Sequence, residues 1–281
     1  MKKKKGIVLA VTLAVIALLL VGIFLIPDKQ SGESINEAMR DEVLHETNKI
    51  SLFGLIDVNP GLVSAFTVTG ILFVFSLAVR IFVIPKFTYV PGRFQLILET
   101  AVGMFDGMAK GSSPKRNKFL GAYIFTAAAY IFIGTLFELL GLQVVTTAGR
   151  SVAMPAPLAD INGAITIGCL SYLVILGGGI VSNGFKGVGR TLKDFSLPIS
   201  MSFRLFGALL SGALVTELVY YYSALSFVLP VVVGVMFTLL HALIQAYVLT
   251  MLTSLFYGEV SEKKEGGRKI RKSKKEVIEN V

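Results

Sequence analysis

Pro198-Ile-Ser-Met-Ser-Phe-Arg-Leu-Phe-Gly207 sets one arginine, Arg204, inside a 63-residue stretch, 195–257, whose one other formal charge is Glu217. Holding a charge at the centre of a bilayer-spanning helix costs about 2.5–3.5 kcal/mol on insertion, so such a group faces a partner or a wet pathway rather than lipid. The stretch is too long for one span of about 20 residues. It breaks near Tyr222 to Ser226, which predicts two helices, 198–223 and 227–257, folded as a long hairpin.

Working outward, the rest of the chain has the same character. Hydrophobic residues make up 54% and charged residues 16%, and the mean hydropathy is +0.73. This composition excludes a soluble domain and defines an integral membrane protein. Further apolar runs at 6–26, 61–85, 119–145 and 161–185 bring the reading to an all-α, polytopic protein with about six membrane helices. The first run follows Lys2 to Lys5, as in a signal peptide. Its length, and the absence of a small-residue cleavage site at Leu25-Ile-Pro-Asp28, favour a retained anchor helix. Three regions follow: an N-terminal anchor (or signal peptide) with an external polar segment, 1–60; a channel-forming domain, 61–257; and a basic tail, 258–281, low in apolar residues.

The net charge of +9 lies in short segments between apolar runs, where it orients helices and meets anionic lipids. It does not read as a nucleic-acid surface. Lys2 to Lys5, the 86–118 segment, 186–193 and the tail share one side, which predicts a multi-pass protein of the cell membrane with a cytoplasmic C-terminus. The opposite side holds Lys29, Arg40, Lys49 and Arg150. Between the second and third spans, Phe94, Ile97, Leu98, Ala101, Phe105 and Met108 recur at three and four residues, predicting an amphipathic helix along the membrane surface. Cys169 is the single cysteine, so no intrachain disulfide forms.

A hairpin turning between Ser223 and Ser226 sets opposite each other residues whose numbers sum to about 449, given equal rise on both arms. Arg204 then faces Gln245, Ala208 faces His241, and Ser211 faces Thr238. Both sets step by three and four, so each occupies one helical face. Hydroxyls such as Ser211 and Thr238 commonly serve as glue between helices, whereas Arg204, Gln245 and His241 form the candidate pathway. Glu217 either snorkels toward the interface beside Tyr220 to Tyr222 or joins that pathway. Glu138 either lines an outer half-channel or meets headgroups. Asp160 and Asn162 open the fourth span and read first as helix-start residues. Gly177-Gly-Gly179 suits close helix approach.

The Ser-x-Arg-Leu-Phe-Gly run, with His241-Ala-Leu-Ile-Gln245-Ala some forty residues later, resembles subunit a, the stator channel subunit of rotary F-type ATP synthases. Upstream, Val90-Pro-Gly-Arg-Phe-Gln95 with Glu99, Ala159-Asp-Ile-Asn162 and Phe185-Lys-Gly-Val-Gly-Arg-Thr191 match in the same order. The resemblance implies two half-channels that carry H+ or Na+ to and from carboxylates on a rotor ring of small two-helix subunits, with Arg204 between them. It implies a place for the hairpin beside that ring. It also implies peripheral-stalk subunits and the synthase's catalytic head as further partners, and a channel-entrance role for Asp160 and Asn162. Two positions depart from the family pattern: Ala208, where asparagine is usual, and Ala213, where His or Glu is usual. The stretch from Thr191 to Arg204 is also shorter than the family's. His241, opposite Ala208, would then restore the polar group lost there, and Glu217, one turn beyond Ala213, would substitute for the other.

No catalytic site or cofactor is expected. His45 and His241 lie in unrelated segments, and neither a Cys/His metal cluster nor a phosphate-binding Gly-x-x-x-x-Gly-Lys loop occurs. A secondary transporter and a non-transporting scaffold are the rival readings. The first commonly shows internal repeats, and none is found here; the second gives no reason to keep Arg204 in a span.

Overall fold

The computed structural model describes residues 50–52, 56–115, 117–145, 151–221 and 229–262, together with positions 14, 17 and 21 of the first apolar run. The rest of the predicted anchor or signal segment, the predicted hairpin turn at 222–226 and the tail beyond 262 lie outside the described residues. Within them, five helices are long and apolar enough to cross a membrane: Pro60–Lys86, Lys118–Leu140, Ile161–Asn183, Ser196–Thr216 and Val231–Ser261. The chain is therefore an all-α, polytopic membrane protein. These five correspond to all the predicted spans except the first.

Helix α1 (Pro60–Ala78) continues through a π-helical turn, Val79–Val83, and a tight 3-10 turn, Ile84–Lys86. Pro85 lacks an N–H and ends the α-helical ladder there. The Ser64, Thr67 and Thr69 hydroxyls each donate to the carbonyl four residues back. Polar groups in a bilayer must be satisfied in this internal way. Helix α2 (Arg93–Ser112) is the amphipathic segment, followed by α3 (Lys118–Phe137), α4 (Ile161–Asn183), α5 (Phe185–Lys193), α6 (Ser196–Tyr221) and α7 (Leu229–Ser261). Pro198 and Pro230 fall in the first turns of α6 and α7, where a missing N–H costs nothing. Two short antiparallel pairs were not anticipated from the sequence: β1 (Ile50–Leu52) with β2 (Ile56–Val58), and β3 (Gln143–Val145) with β4 (Ser151–Ala153).

The chain divides into two compact units. Unit 1 comprises residues 1–75, 130–164 and 203–245; unit 2 comprises 76–129, 165–202 and 246–281. In unit 1, Val68, Phe137 and Met154 form a buried cluster, with Val63, Leu72, Tyr130 and Val144 packed against it.

Unit 2 is held by small residues in close approach. A Cβ on Gly178 would enter the Tyr257 ring, and one on Gly187 would strike the Gly179 carbonyl. Gly184, at φ 57°, makes the reversal from α4 into α5. Tyr172 donates its hydroxyl to the Thr191 carbonyl, and Asn183 donates to that of Val260. A serine seam fastens α2 to α7: Ser254 to Ser112 at 2.8 Å and Ser113 to Ser261 at 3.1 Å, with Glu262 accepting from the Ser113 hydroxyl. The packed stripe of α2 comprises Leu98, Ala101, Phe105, Met108 and Ala109, and Phe105 meets Phe125 edge to face. Phe94 and Ile97, expected on that stripe, are instead exposed at 49% and 66%. The first turns of α2 thus keep apolar side chains uncovered, which suits a helix lying at the membrane surface.

Candidate functional site

Arg204, Gln245, His241, Glu217, Glu138, Asp160 and Asn162 all belong to unit 1. On α6 the covered face carries Met201, Ser202, Leu205 and Leu209, all buried. Arg204 lies on the opposite face with Gly207 and Ser211, at steps of three and four, and all three are exposed. Phe203 beside it is 63% exposed. Among the described residues Arg204 has no hydrogen-bond or ion-pair partner; the one ion pair there is Lys110 with Asp106. A guanidinium in an apolar span is thus presented outward by a helix that covers it with nothing of its own.

Gln245 lies on the covered face of α7, 6% exposed, next to buried Ala242. The structure does not join it to Arg204 by a hydrogen bond. His241 lies on the same face, half-buried. Its Nδ1 is 2.8 Å from the Phe237 carbonyl. A carbonyl only accepts, so Nδ1 carries a hydrogen, and in the neutral ring Nε2 is the accepting atom. The ring therefore folds back one turn along α7, with its centroid 5.8 Å from that of Phe237. There it meets Gly212: a Cβ built on that glycine would stand 3.8 Å from Nδ1. The expected opposite residue was Ala208, four positions earlier. Side chains lean toward their helix's N-terminus, so the ring reaches about one turn beyond its own backbone level.

Ser211 donates to the carbonyl of Ala208 in its own helix, at 2.8 Å. The backbone of Glu217 is helical within α6; its side chain lies outside the described atoms. Glu138 is half-buried in the 3-10 turn Glu138–Leu140 that closes the second of the five spans, so it sits at a span's end rather than its middle. Asp160 caps α4: its Oδ1 accepts from the Asn162 backbone N–H at 3.0 Å and from the Asn162 side-chain amide at 3.2 Å. Gly61, in the first turn of α1, leaves room for it, since a Cβ there would lie 2.9 Å from Asp160 Cβ.

The upstream motifs do structural work. Gln95 accepts from the Thr88 N–H and donates to both the Thr88 carbonyl and Glu99, latching the 87–92 loop onto α2. Thr191 of α5 donates to Gly187. Sequence reasoning passed over Gly212 as a neighbour of His241; its place eight residues after Arg204 was the one available signal. No group of three or more His, Cys, Asp or Glu able to hold a metal occurs among the described residues.

Fold and site together define a polytopic α-helical membrane protein with an uncovered cation inside a span. A family model described as ATP synthase A chain matches residues 62–192 and 188–258, well over half of the chain. Two similar relatives are ATP synthase subunit a from Cereibacter sphaeroides strains ATCC 17025 / ATH 2.4.3 and ATCC 17029 / ATH 2.4.9. Each is 26% identical over 179 residues, covering 59% of this chain and 69% of the relative. The chain belongs to the ATP synthase A chain family, as a non-catalytic, membrane-embedded stator subunit with a general role in ion conduction.

Proposed function

We propose that this chain provides two half-channels carrying H+ or Na+ to and from carboxylates on a rotor ring of small two-helix subunits, and so couples ion flow to rotation. The observation that carries this reading is the exposed face of α6: Arg204 flanked by the small residues Gly207 and Ser211, without a partner among the described residues. A fixed positive charge there lowers the proton or cation affinity of an approaching carboxylate, which releases its ion as it meets Arg204. A guanidinium keeps its own proton, so the two half-channels are not short-circuited. Each ion passing down the membrane potential supplies about 2.3 kcal/mol per 100 mV.

In this reading Gln245 and His241 line the pathway from α7, and the Nε2 of His241 supplies a polar group absent at Ala208. Glu217 and Glu138 serve toward the outer ends, and Asp160 with Asn162 borders the entrance. The peripheral stalk, the catalytic head and anionic lipids are its further partners. The test is ATP-driven ion uptake by inverted vesicles holding the whole synthase, with and without a sodium gradient. Arg204→Ala is expected to abolish uptake while the complex still assembles. Normal pumping by that variant would end the reading and restore a scaffold.

A further inference from the structure

We propose that unit 2 carries a binding groove for one acyl chain of an anionic glycerophospholipid, separate from the Arg204 pathway and independent of it. The groove has a volume of about 420 Å³. Its floor is the backbone of Gly177 and Gly178, and its walls include Phe119, Leu173, Val181 and Tyr257. Every one of these side chains is apolar or aromatic. Gly178 is filled by the Tyr257 ring, but a Cβ on Gly177 would meet no atom within 4 Å. The glycine run therefore does two things: one residue packs a neighbouring helix, and another leaves a trough. Phe119, Leu173 and Val181 are exposed at 65%, 58% and 73%, so the trough opens outward from the spans rather than into a core.

Charge selects the occupant. Phe119 is the second residue of α3, Val181 lies in the last turn of α4, and Tyr257 in the last turns of α7, so the trough runs out at helix ends. Around those ends stand Lys115, Lys118 and Lys186, all exposed. Lys118 adjoins Phe119, and its side chain leans toward the N-terminus of α3, away from the apolar trough and toward headgroup level. On the other side Glu259 is exposed, while Glu262 is engaged by Ser113 and the Lys115 N–H. Basic clusters at the ends of membrane helices recruit anionic headgroups, and an apolar trough at bilayer depth takes the chain beneath.

The test uses the full-length chain in phosphatidylcholine vesicles doped with either phosphatidylglycerol or phosphatidylcholine bearing a photoreactive acyl chain. Adducts are expected on α3 and α4 beside Gly177, with phosphatidylglycerol favoured. Gly177→Leu, whose Cβ meets no atom within 4 Å, should lower labelling about tenfold, equivalent to 1.4 kcal/mol. Leu173→Trp, which fills the trough from its rim, serves as the second variant, and a thermal melt checks that both fold. Lys115→Gln with Lys118→Gln should reduce phosphatidylglycerol labelling to the phosphatidylcholine level. Undiminished labelling in both trough-filling variants, or equal labelling by the two lipids in the unaltered chain, would overturn the proposal. So would crosslinking of Gly177→Cys to another polypeptide in the assembled synthase, which would make the trough a protein interface.

Discussion

Arg204 and His241 differ in what their surroundings ask of them. Arg204 touches no described partner, so truncating it orphans nothing and should leave the fold and the assembled complex unchanged. Its loss is a loss of charge alone. Arg204→Lys is expected to fail nearly as badly as Arg204→Ala in ATP-driven uptake, because a desolvated ammonium gives up its proton and a guanidinium does not. Uptake by the lysine variant near the unaltered rate, with assembly verified by immunoblot, would show that any cation suffices. His241 is tied by Nδ1 to Phe237 and presents Nε2. If Nε2 passes protons, His241→Phe should keep the packing yet slow passive proton flux through the membrane sector about a hundredfold, the low end for a positioned proton-transfer group. An unchanged flux would reduce His241 to a packing residue. Both residues were legible in the sequence, Arg204 from its isolation and His241 from its spacing to Gln245. The tautomer was not, because it depends on where the ring folds.

The hairpin of α6 and α7 is the element on which the register rests. With the His241 ring leaning one turn past its own backbone level to reach Gly212, cysteines at Ala208 and His241 in a Cys169→Ser background should join under mild oxidation, since a disulfide needs Cα atoms within about 7 Å. Cysteines at Glu217 and His241 should not, being further apart by about 13 to 14 Å along the axis at about 1.5 Å per residue. Efficient joining of the second pair alone would move the register by more than a turn. The glycines of α4 and α5 give a graded series at the same scale. Gly187→Ala and Gly178→Ala drive a methyl into backbone or a ring and should cost about 1–3 kcal/mol each as overpacking. Gly177→Ala meets nothing and should be neutral, or gain up to about 1 kcal/mol of helix propensity. Melting temperatures in detergent separate the three. In the sequence Gly177-Gly-Gly179 read as a place for close approach; which glycine takes which neighbour depends on helix rotation, a property of pairs of helices.

At the scale of the molecule, the predicted orientation remains to be measured. Lys86, Arg93, Lys110, Lys115, Lys118, Lys186, Arg190 and Lys193 all lie in unit 2. The positive-inside rule then places a C-terminal tag where protease reaches it in inverted vesicles and not in right-side-out ones. The reverse pattern would turn the topology over. The sequence by itself determined the membrane class, five spans that the structure describes, and Arg204 as the residue out of place. Each follows from hydropathy or charge summed along one dimension, because a bilayer sorts segments by transfer free energy before any helix meets another. The tertiary structure alone decided that Arg204 faces outward while Gln245 is covered, that Asp160 caps α4 beside Gly61, and that Gly177 lies open while Gly178 is filled. Those outcomes depend on how each helix is rotated about its axis. In spans that are apolar all round, hydropathy says nothing about rotation, and close packing between neighbours sets it.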